Sequence, residues 1–407
     1  MRALRLGRLE GSATEVTGVE IDSRRTGPGD LFVAVRGGVE YLDDARARGA
    51  AAVLVPEEPF AALAALAALG RAVRERSAAR VVAITGSVGK TSTKDILAAL
   101  LRPHVALVAA EDGFNNEIGL PLTLCRIEPE TEVVVTEMGM RGLGQIRALA
   151  DIARPDVGVI TAIAPVHLEL LGSLENIARA KAELLEALPP GGTAVLPADA
   201  PVLEPFVPAG LEVRRFAAPD AEVRDGVTSI RFRGREIHFA FAARHQATNA
   251  VAALTVCDAL GVPLPDGVVE VTFSRLRSQE SELPGGGLLI NDAWNANPVA
   301  MRAALAHLRE RAEGRRTVAI LGEMAELGTE APGFHAEIGR ETDGIDLVLG
   351  VGPLARGYEP DLWAADAAGA VALAREVVRP GDAVLVKASR AVGLEVVADA
   401  LAGVAAR

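Results

Sequence analysis

At 407 residues, half of them hydrophobic, the chain is too long for one ordinary core and too apolar to be disordered. Its net charge of −12, with no basic stripe, argues against a nucleic-acid partner, and any anionic substrate must be held by a few well-placed Arg, Lys and backbone N–H groups. The two cysteines, Cys125 and Cys257, lie far apart in apolar surroundings and read as free thiols in a reducing compartment rather than as a disulfide or metal site.

The start, "MRALRLGRLEG", is basic but has no long apolar core, so no secretory leader is expected. Short strands follow in "EVTGVEID", "DLFVAV" and "AAVLV", punctuated by Gly and Pro. An alanine-rich helix over 57–78 closes a first small unit, residues 1–78. Within it, "FAALAALAALG" at 60–70 is too short to span a bilayer. No membrane partner is expected, and the cytoplasm is the expected location.

From residue 81 the rhythm changes. "VVAIT", "HVALVAA", "EVVVTEMG" and "DVGVITAI" are continuous apolar strands of the kind buried in parallel sheets, separated by helical stretches such as "SLENIARAKAELLEAL". This βαβ repetition predicts a doubly wound, mostly parallel central sheet over 79–283. Shorter strands around 193–240 ("TAVLP", "EVRRFA", "SIRFRG", "EIHFAF") suggest a small antiparallel extension before the helix "ATNAVAALTVCDALG". After the linker-like "ELPGGG", a third, Rossmann-like α/β pattern runs over 284–407. The fold class is therefore α/β in three domains.

"TGSVGKTSTKD" joins a buried strand to a helix through G-x-x-G-K-T. Gly86 and Gly89 allow a tight turn whose N–H groups can face phosphate, and the helix from Thr91 adds its positive end. Lys90 would reach the β- and γ-phosphates, and the Thr91 hydroxyl would sit on Mg²⁺. Glu137 ends the strand "VVVTE", where binding groups of an open α/β sheet gather. Asn115 and Asn116 in "DGFNNEIGLP" are turn formers or ligand contacts. His167 lies just past another strand, and Lys181 on an amphipathic helix reads by itself as part of a solvated face. In the third unit, "INDAWNANPVAM" crowds Asp292, Asn295 and Asn297 ahead of a helix-starting Pro, with Trp294 offering a flat face. Glu323, Glu326, Lys387, Ser389 and Arg390 also stand at strand ends.

Taken in order from about residue 17 to the C-terminus, these segments resemble the ATP-dependent Mur ligases of peptidoglycan synthesis. "NDAWNANP" and "GEMAELG" look like the signatures of the branch that adds D-alanyl-D-alanine. The resemblance implies a ligase that joins UDP-N-acetylmuramoyl-tripeptide to D-alanyl-D-alanine through an acyl phosphate, using ATP and two Mg²⁺ ions, and acting as a monomer. Lys90, Asn116, Glu137, His167 and Lys181 would be catalytic. Thr91, Glu137, His167 and Lys181 would hold metal, Lys181 after carbamoylation by CO₂. ATP would be bound by Thr85, Gly86, Ser87, Val88, Gly89, Lys90, Thr91 and Ser92, with His245, Asn249, Arg277, Asp292 and Asn295. Ser23 and Arg24 would contact the uridine diphosphate, and Lys387, Ser389 and Arg390 the remaining substrate.

The chain departs from the family pattern at Leu276, which stands before Arg277 in place of Gly, and at Asn291 for Asp, Trp294 for Tyr, Glu323 for Asp, Ala388 for Gly and Gln246 for Asn. The alternatives are a sibling ligase that adds the third amino acid, for which an "NP-R" signature is expected where this chain has "NANP", and a non-catalytic nucleotide-regulated scaffold. The scaffold would be expected to lack Lys90, Glu137, His167 or Lys181, and all four are present.

Overall fold

The computed structural model describes residues 7–11, 15–58 and 60–403. The first six residues of the basic start, read above as no leader, lie outside them. The N-terminal sheet holds β1 (Arg8–Glu10), β2 (Gly18–Glu20), β3 (Asp30–Val33) and β4 (Ala52–Val55) in the order β1-β4-β3-β2, with only β1 antiparallel. Helix α1 (Leu42–Ala47) precedes β4, and α2 (Ala61–Arg76) is the alanine-rich helix. α2 does more than close the first unit. The Arg74 guanidinium donates to the Ala79 and Ala153 carbonyls and to Asp156 Oδ2, each at 3.0 Å, and so fastens α2 to the base of the central sheet.

That sheet contains β5 (Arg80–Thr85), β6 (Leu107–Ala109), β7 (Val133–Glu137), β8 (Val157–Ile160), β9 (Thr193–Pro197) and β10 (Glu212–Phe216), all parallel, in the order β10-β9-β8-β5-β7-β6. β7, β8 and β9 are buried along their whole length, which accounts for their unbroken apolar sequences: helices cover both faces. Strand order reverses around β5, and the carboxyl ends of β5, β7 and β8 open on one crevice. The helices are α3 (Lys90–Leu101), α4 (Gly119–Leu124), α5 (Gln145–Ala153), the short α6 (Leu168–Leu171) and α7 (Leu174–Glu186).

"EVRRF" and "TAVLP", expected in the antiparallel extension, instead form β10 and β9 of the parallel sheet. The extension is β11 (Ala221–Arg224), β12 (Val227–Phe232), β13 (Arg235–Phe239) and β14 (Val268–Val269). Helix α8 (Gln246–Leu260) packs on α3 and on strands of both sheets, and its apolar residues are accordingly not confined to one stripe.

The third sheet is β15 (Gln279–Glu282), β16 (Leu288–Asp292), β17 (Thr317–Gly322), β18 (Leu347–Val351), β19 (Leu362–Ala364) and β20 (Ala383–Lys387), ordered β15-β16-β20-β17-β18-β19. α9 (Pro298–Ala312), α10 (Ala331–Arg340), α11 (Ala367–Val377) and α12 (Glu395–Leu401) flank it. β15 runs antiparallel to β16, so residues 279–282 belong to the third sheet and not to the middle unit in which the sequence reading placed them. "ELPGGG" is the hairpin between the two strands.

Candidate functional site

β5 runs through Ile84 to Thr85, and the phosphate loop begins at Gly86. Gly86 has φ +150°, and a Cβ there would lie 1.9 Å from Thr161 Oγ1; Gly89 has φ +82°, and a Cβ there would meet Asn249 Oδ1 at 2.3 Å. Only glycine fits either position. No side chain caps the N-terminus of α3 and its first turn holds no acid, so its positive end is left for a ligand. Lys90 Nζ folds back to donate to the Gly86 carbonyl at 2.8 Å. Burial lowers its pKa, Arg277 lowers it further, and Glu137 opposes both.

The Thr85 and Ser87 hydroxyls brace the loop, which leaves any contact to a ligand to the loop's backbone N–H groups, and Ser87 lies on the cleft wall described below. Thr85 is fully buried, and its hydroxyl donates to the Met138 carbonyl at 2.8 Å. The Ser87 hydroxyl donates to the Ala164 carbonyl at 3.0 Å and accepts from the Ala164 N–H at 2.9 Å. Both hydroxyls are committed to holding the loop against β7 and the segment after β8. The two asparagines also divide differently. Asn115 Nδ2 donates to Glu137 Oε1 at 2.9 Å. Asn116, expected near the phosphates, accepts from the Ile118 and Gly119 N–H groups, both at 3.0 Å, in the turn leading into α4.

Glu137, at the end of β7, is 4% exposed. Lys181 is 2% exposed and has no ion-pair partner among the described residues. Burial holds its pKa well below the usual lysine range, and Lys90 pushes it further down. The solvated-face reading of Lys181 is therefore wrong: the side chain points into the protein. His167 has φ +55°, and its pKa is lowered by burial, opposed by Glu326 and lowered again by Lys181 and Lys90. Lys90 thus lies within electrostatic reach of Glu137, His167 and Lys181.

A cleft of about 280 Å³, with Lys90 in its lining, runs between the central and third sheets. Val88 to Ser92, His245 and Asn249 line one wall, and Asp292, Asn295 and Lys387 the other. Asp292 and Lys387 are register partners on β16 and β20, and Lys387 Nζ donates to Asp292 Oδ2 at 2.5 Å and to the Asn295 carbonyl at 2.9 Å. Lys387, expected to bind substrate, therefore stands in the wall of this cleft. Ser389 is buried, accepting from the Ala325 N–H at 2.9 Å and donating to the Ala296 carbonyl at 3.4 Å. Burial, and then His307, push His245 down to about 4, so it stays neutral near pH 7.

Arg277 reaches from the interdomain segment to donate to Thr91 Oγ1 at 3.3 Å. Arg275 is exposed, and its backbone N–H donates to Asp112 Oδ2 at 3.0 Å. Leu276 and Ser278, on either side of Arg277, have φ +60° and +47°, a strained path that the family's Gly at 276 would relieve. Trp294 lies between two guanidinium groups, each 5.5 Å from its ring: Arg277 and the exposed Arg390. Ser23 and Arg24 sit in a turn of the N-terminal domain away from this cleft, with Arg24 paired to Asp22 at 2.7 Å.

A larger cleft of about 620 Å³ lies at the opposite, amino-terminal edge of the central sheet. Its charges neutralise one another, Arg71 and Arg154 on Glu75 and Arg74 on Asp156. We place the chemistry at the smaller cleft, where a helix N-terminus and buried lysines face a ligand-sized space.

Among the described residues, no three His, Cys, Asp or Glu side chains converge as a ready-made cation site. One carboxylate (Glu137), one imidazole (His167) and one amine (Lys181) do lie within electrostatic reach of Lys90, and the Thr91 hydroxyl follows it in the chain. Hard oxygens from Glu137 and Thr91 suit Mg²⁺ beside a polyphosphate, and Lys181 suits it only as a carbamate.

Asn115 and Trp294 are the site residues the sequence reading left without a role. Position alone cannot say which of two adjacent asparagines faces the strand end. The replacement of a family Tyr was the only signal at Trp294.

Residues 84–257 match the Mur ligase middle domain, and residues 275–390 match the family model described as "Mur ligase, glutamate ligase domain". The chain is 37% identical to a UDP-N-acetylmuramoyl-tripeptide--D-alanyl-D-alanine ligase of Mycobacterium tuberculosis, over 95% of this chain and 92% of that one. It is 32% identical to the enzyme of the same name from Bacillus subtilis, over 94% and 92%. Among solved structures it is similar to MurF from Acinetobacter baumannii (TM-score 0.84, 26% identity) and to MurF ligase from Thermotoga maritima in complex with ADP (TM-score 0.82, 28% identity), each over 98% of both chains. A UDP-N-acetylmuramoyl-L-alanyl-D-glutamate--2,6-diaminopimelate ligase shares the fold at a TM-score of 0.51 and 15% identity, covering 91% of this chain and 89% of that one.

Proposed function

The chain belongs to the Mur ligase family, and on that premise we propose how its cleft works. It is an ATP-dependent ligase that joins D-alanyl-D-alanine to UDP-N-acetylmuramoyl-tripeptide and releases ADP and phosphate. The relatives' names favour this over the sibling that adds the third amino acid. The observation that carries the reading is Lys90 at the uncapped start of α3, within electrostatic reach of Glu137, His167 and the buried Lys181.

The tripeptide's terminal carboxylate attacks the γ-phosphorus, the bond to the ADP oxygen breaks, and an acyl phosphate forms. The amine of D-alanyl-D-alanine then attacks the acyl carbon, loses a proton, and inorganic phosphate leaves. Phosphoryl transfer needs in-line placement and neutralised charge more than covalent help. Lys90 exchanges the Gly86 carbonyl for phosphate oxygens, and Arg277 brings a second cation to Thr91. Asp292 and Asn295 line the wall across from the phosphate loop, where the ribose and base would lie. Two domains closing on the cleft exclude water, which would otherwise hydrolyse the acyl phosphate.

Thr91 and Glu137 would hold one Mg²⁺, and His167 with carbamoylated Lys181 a second. The ions, when bound, supply charge neutralisation at the phosphates. Lys181, held toward its neutral form by burial, has the free electron pair that carbamoylation by CO₂ requires. Ser23, Arg24 and Arg390 are proposed substrate contacts. The N-terminal domain is assigned to residues 1–78, and the boundary between the other two lies just ahead of β15. Substrates of this kind, ATP and a nucleotide-linked sugar, support a cytoplasmic reaction, and we propose that the chain acts as a monomer. Among the described residues no helix is long and apolar enough to cross a membrane.

The test is phosphate release by purified protein with ATP and Mg²⁺. Release that depends on both UDP-muramoyl-tripeptide and D-alanyl-D-alanine is expected. Turnover only with the dipeptide precursor and a single diamino acid would sink the reading.

A further inference from the structure

The loop 323–328, carried by the C-terminal domain, is fastened to that domain at several points. The Ala325 N–H donates to Ser389 Oγ at 2.9 Å, the Met324 N–H to His335 Nε2 at 3.0 Å, and the Ser389 N–H to the Glu323 carbonyl at 3.0 Å. From this anchored loop Glu326 reaches across the domain boundary. One carboxylate oxygen meets His167 Nδ1, and the other lies 3.4 Å from Arg141 Nε. The backbones touch as well. The Glu169 N–H donates to the Glu326 carbonyl at 3.3 Å, and Gly328 approaches so closely that a Cβ on it would lie 3.1 Å from Glu169 Cα.

Both partners hold a left-handed backbone, φ +55° at His167 and φ +63° at Glu326. Neither residue adopts that region without cost, of the order of 1 kcal/mol or more each. A pair of such residues meeting face to face means that the surrounding structure imposes the contact. The His167 ring also lies within electrostatic reach of Lys181 and of Lys90, the first residue of α3.

We propose that Glu326 is a positioning residue: it holds His167 through Nδ1, so that the imidazole presents Nε2 to the phosphate site only when the C-terminal domain is docked. This rests on the ligase reading above and adds to it a reason why the reaction waits for closure. A carboxylate accepting from Nδ1–H fixes the tautomer and leaves the lone pair on Nε2. Because the loop moves with its domain, the C-terminal domain carries the group that completes a site otherwise built from the central domain. Arg141 keeps the second oxygen occupied and so limits rotation of the carboxylate.

The experiment compares Glu326→Ala, Glu326→Gln and wild type by two readouts. The first is steady-state phosphate release. The second is the ring-nitrogen chemical shifts of His167 in protein labelled with ¹⁵N-histidine, assigned by difference with His167→Gln and recorded without metal or nucleotide. Glu326→Ala is expected to lower kcat about 10- to 100-fold with KM for ATP changed less than about threefold, and to lose the Nδ1–H tautomer. Glu326→Gln still offers an acceptor oxygen and is expected to recover most of both. If Glu326→Ala keeps kcat within about twofold, or loses kcat with the tautomer unchanged, the proposal is overturned. Failure of the ligase reading would show separately, as wild-type protein that releases no phosphate with tripeptide and D-alanyl-D-alanine, and the tautomer measurement would still decide the contact.

Discussion

Asn115 donates its side-chain amide to Glu137 Oε1 at 2.9 Å, across the gap between the loop after β6 and the end of β7. Its neighbour Asn116 faces the other way, onto the first N–H groups leading into α4. Two adjacent, chemically identical side chains therefore do different work. Asn115→Ala is expected to lower kcat about 10- to 100-fold, because it frees the carboxylate proposed to hold metal. Asn116→Ala is expected to cost about 1 kcal/mol of stability and little activity. Thermal melts beside phosphate-release assays check the division, and a reversed pattern would restore Asn116 to the phosphate site.

Lys181 has no acidic partner among the described residues and is held toward neutrality by burial. Activity is expected to fall when CO₂ is stripped from the buffer and to return with bicarbonate. Lys181→Ala is expected to lose most activity with no bicarbonate rescue. The sign of the stability effect follows from the lowered pKa. In CO₂-free buffer the unfolded chain binds the Lys181 proton more readily, so stability rises with pH between the lowered folded value and the ordinary 10.5. Lys181→Met is expected to remove that rise, as read by urea unfolding across pH.

His245 tests the burial argument at a second point. Its pKa falls from 6.5 to about 4, chiefly through burial and then through His307. The unfolded chain therefore binds a proton that the folded chain refuses, and stability is lost as pH drops from about 6.5 toward 4. His245→Gln is expected to flatten that part of the curve. An unchanged slope would mean that the ring titrates in the fold much as it does in the unfolded chain.

Trp294 links Arg277 and Arg390 at 5.5 Å each. An exposed-to-intermediate cation–π contact contributes about 0.5–1 kcal/mol. Trp294→Ala should therefore raise KM for ATP about 2- to 5-fold by loosening Arg277 above Thr91. The chain has two tryptophans, so Trp363→Phe leaves Trp294 as the sole indole reporter. Its emission is expected to shift on addition of ADP and Mg²⁺, and a flat signal would place nucleotide elsewhere.

Much of this was legible without coordinates. The parallel core declared itself in apolar runs such as "VVAIT" and "EVVVTEMG", because a strand covered on both faces has no polar side to show. The phosphate loop was legible because Gly86, Gly89 and Lys90 are demanded by local geometry within a few residues. β9 and β10 were expected in the wrong sheet because partner choice for a short strand is set by its neighbours in space. "EVRRF" alternates as an edge strand does, whichever sheet it joins.

By itself the sequence determined the family, the three α/β units and the segments that supply the cleft, since each rests on local spacing and hydrophobic period. Tertiary structure alone decided which way individual side chains turn: Asn115 rather than Asn116 toward Glu137, Arg277 rather than Arg275 toward Thr91, Lys181 inward, and Glu326 onto His167. The physical reason is common to all four. Orientation depends on burial and on partners more than twenty residues away in the chain, and neither is a property of the local sequence.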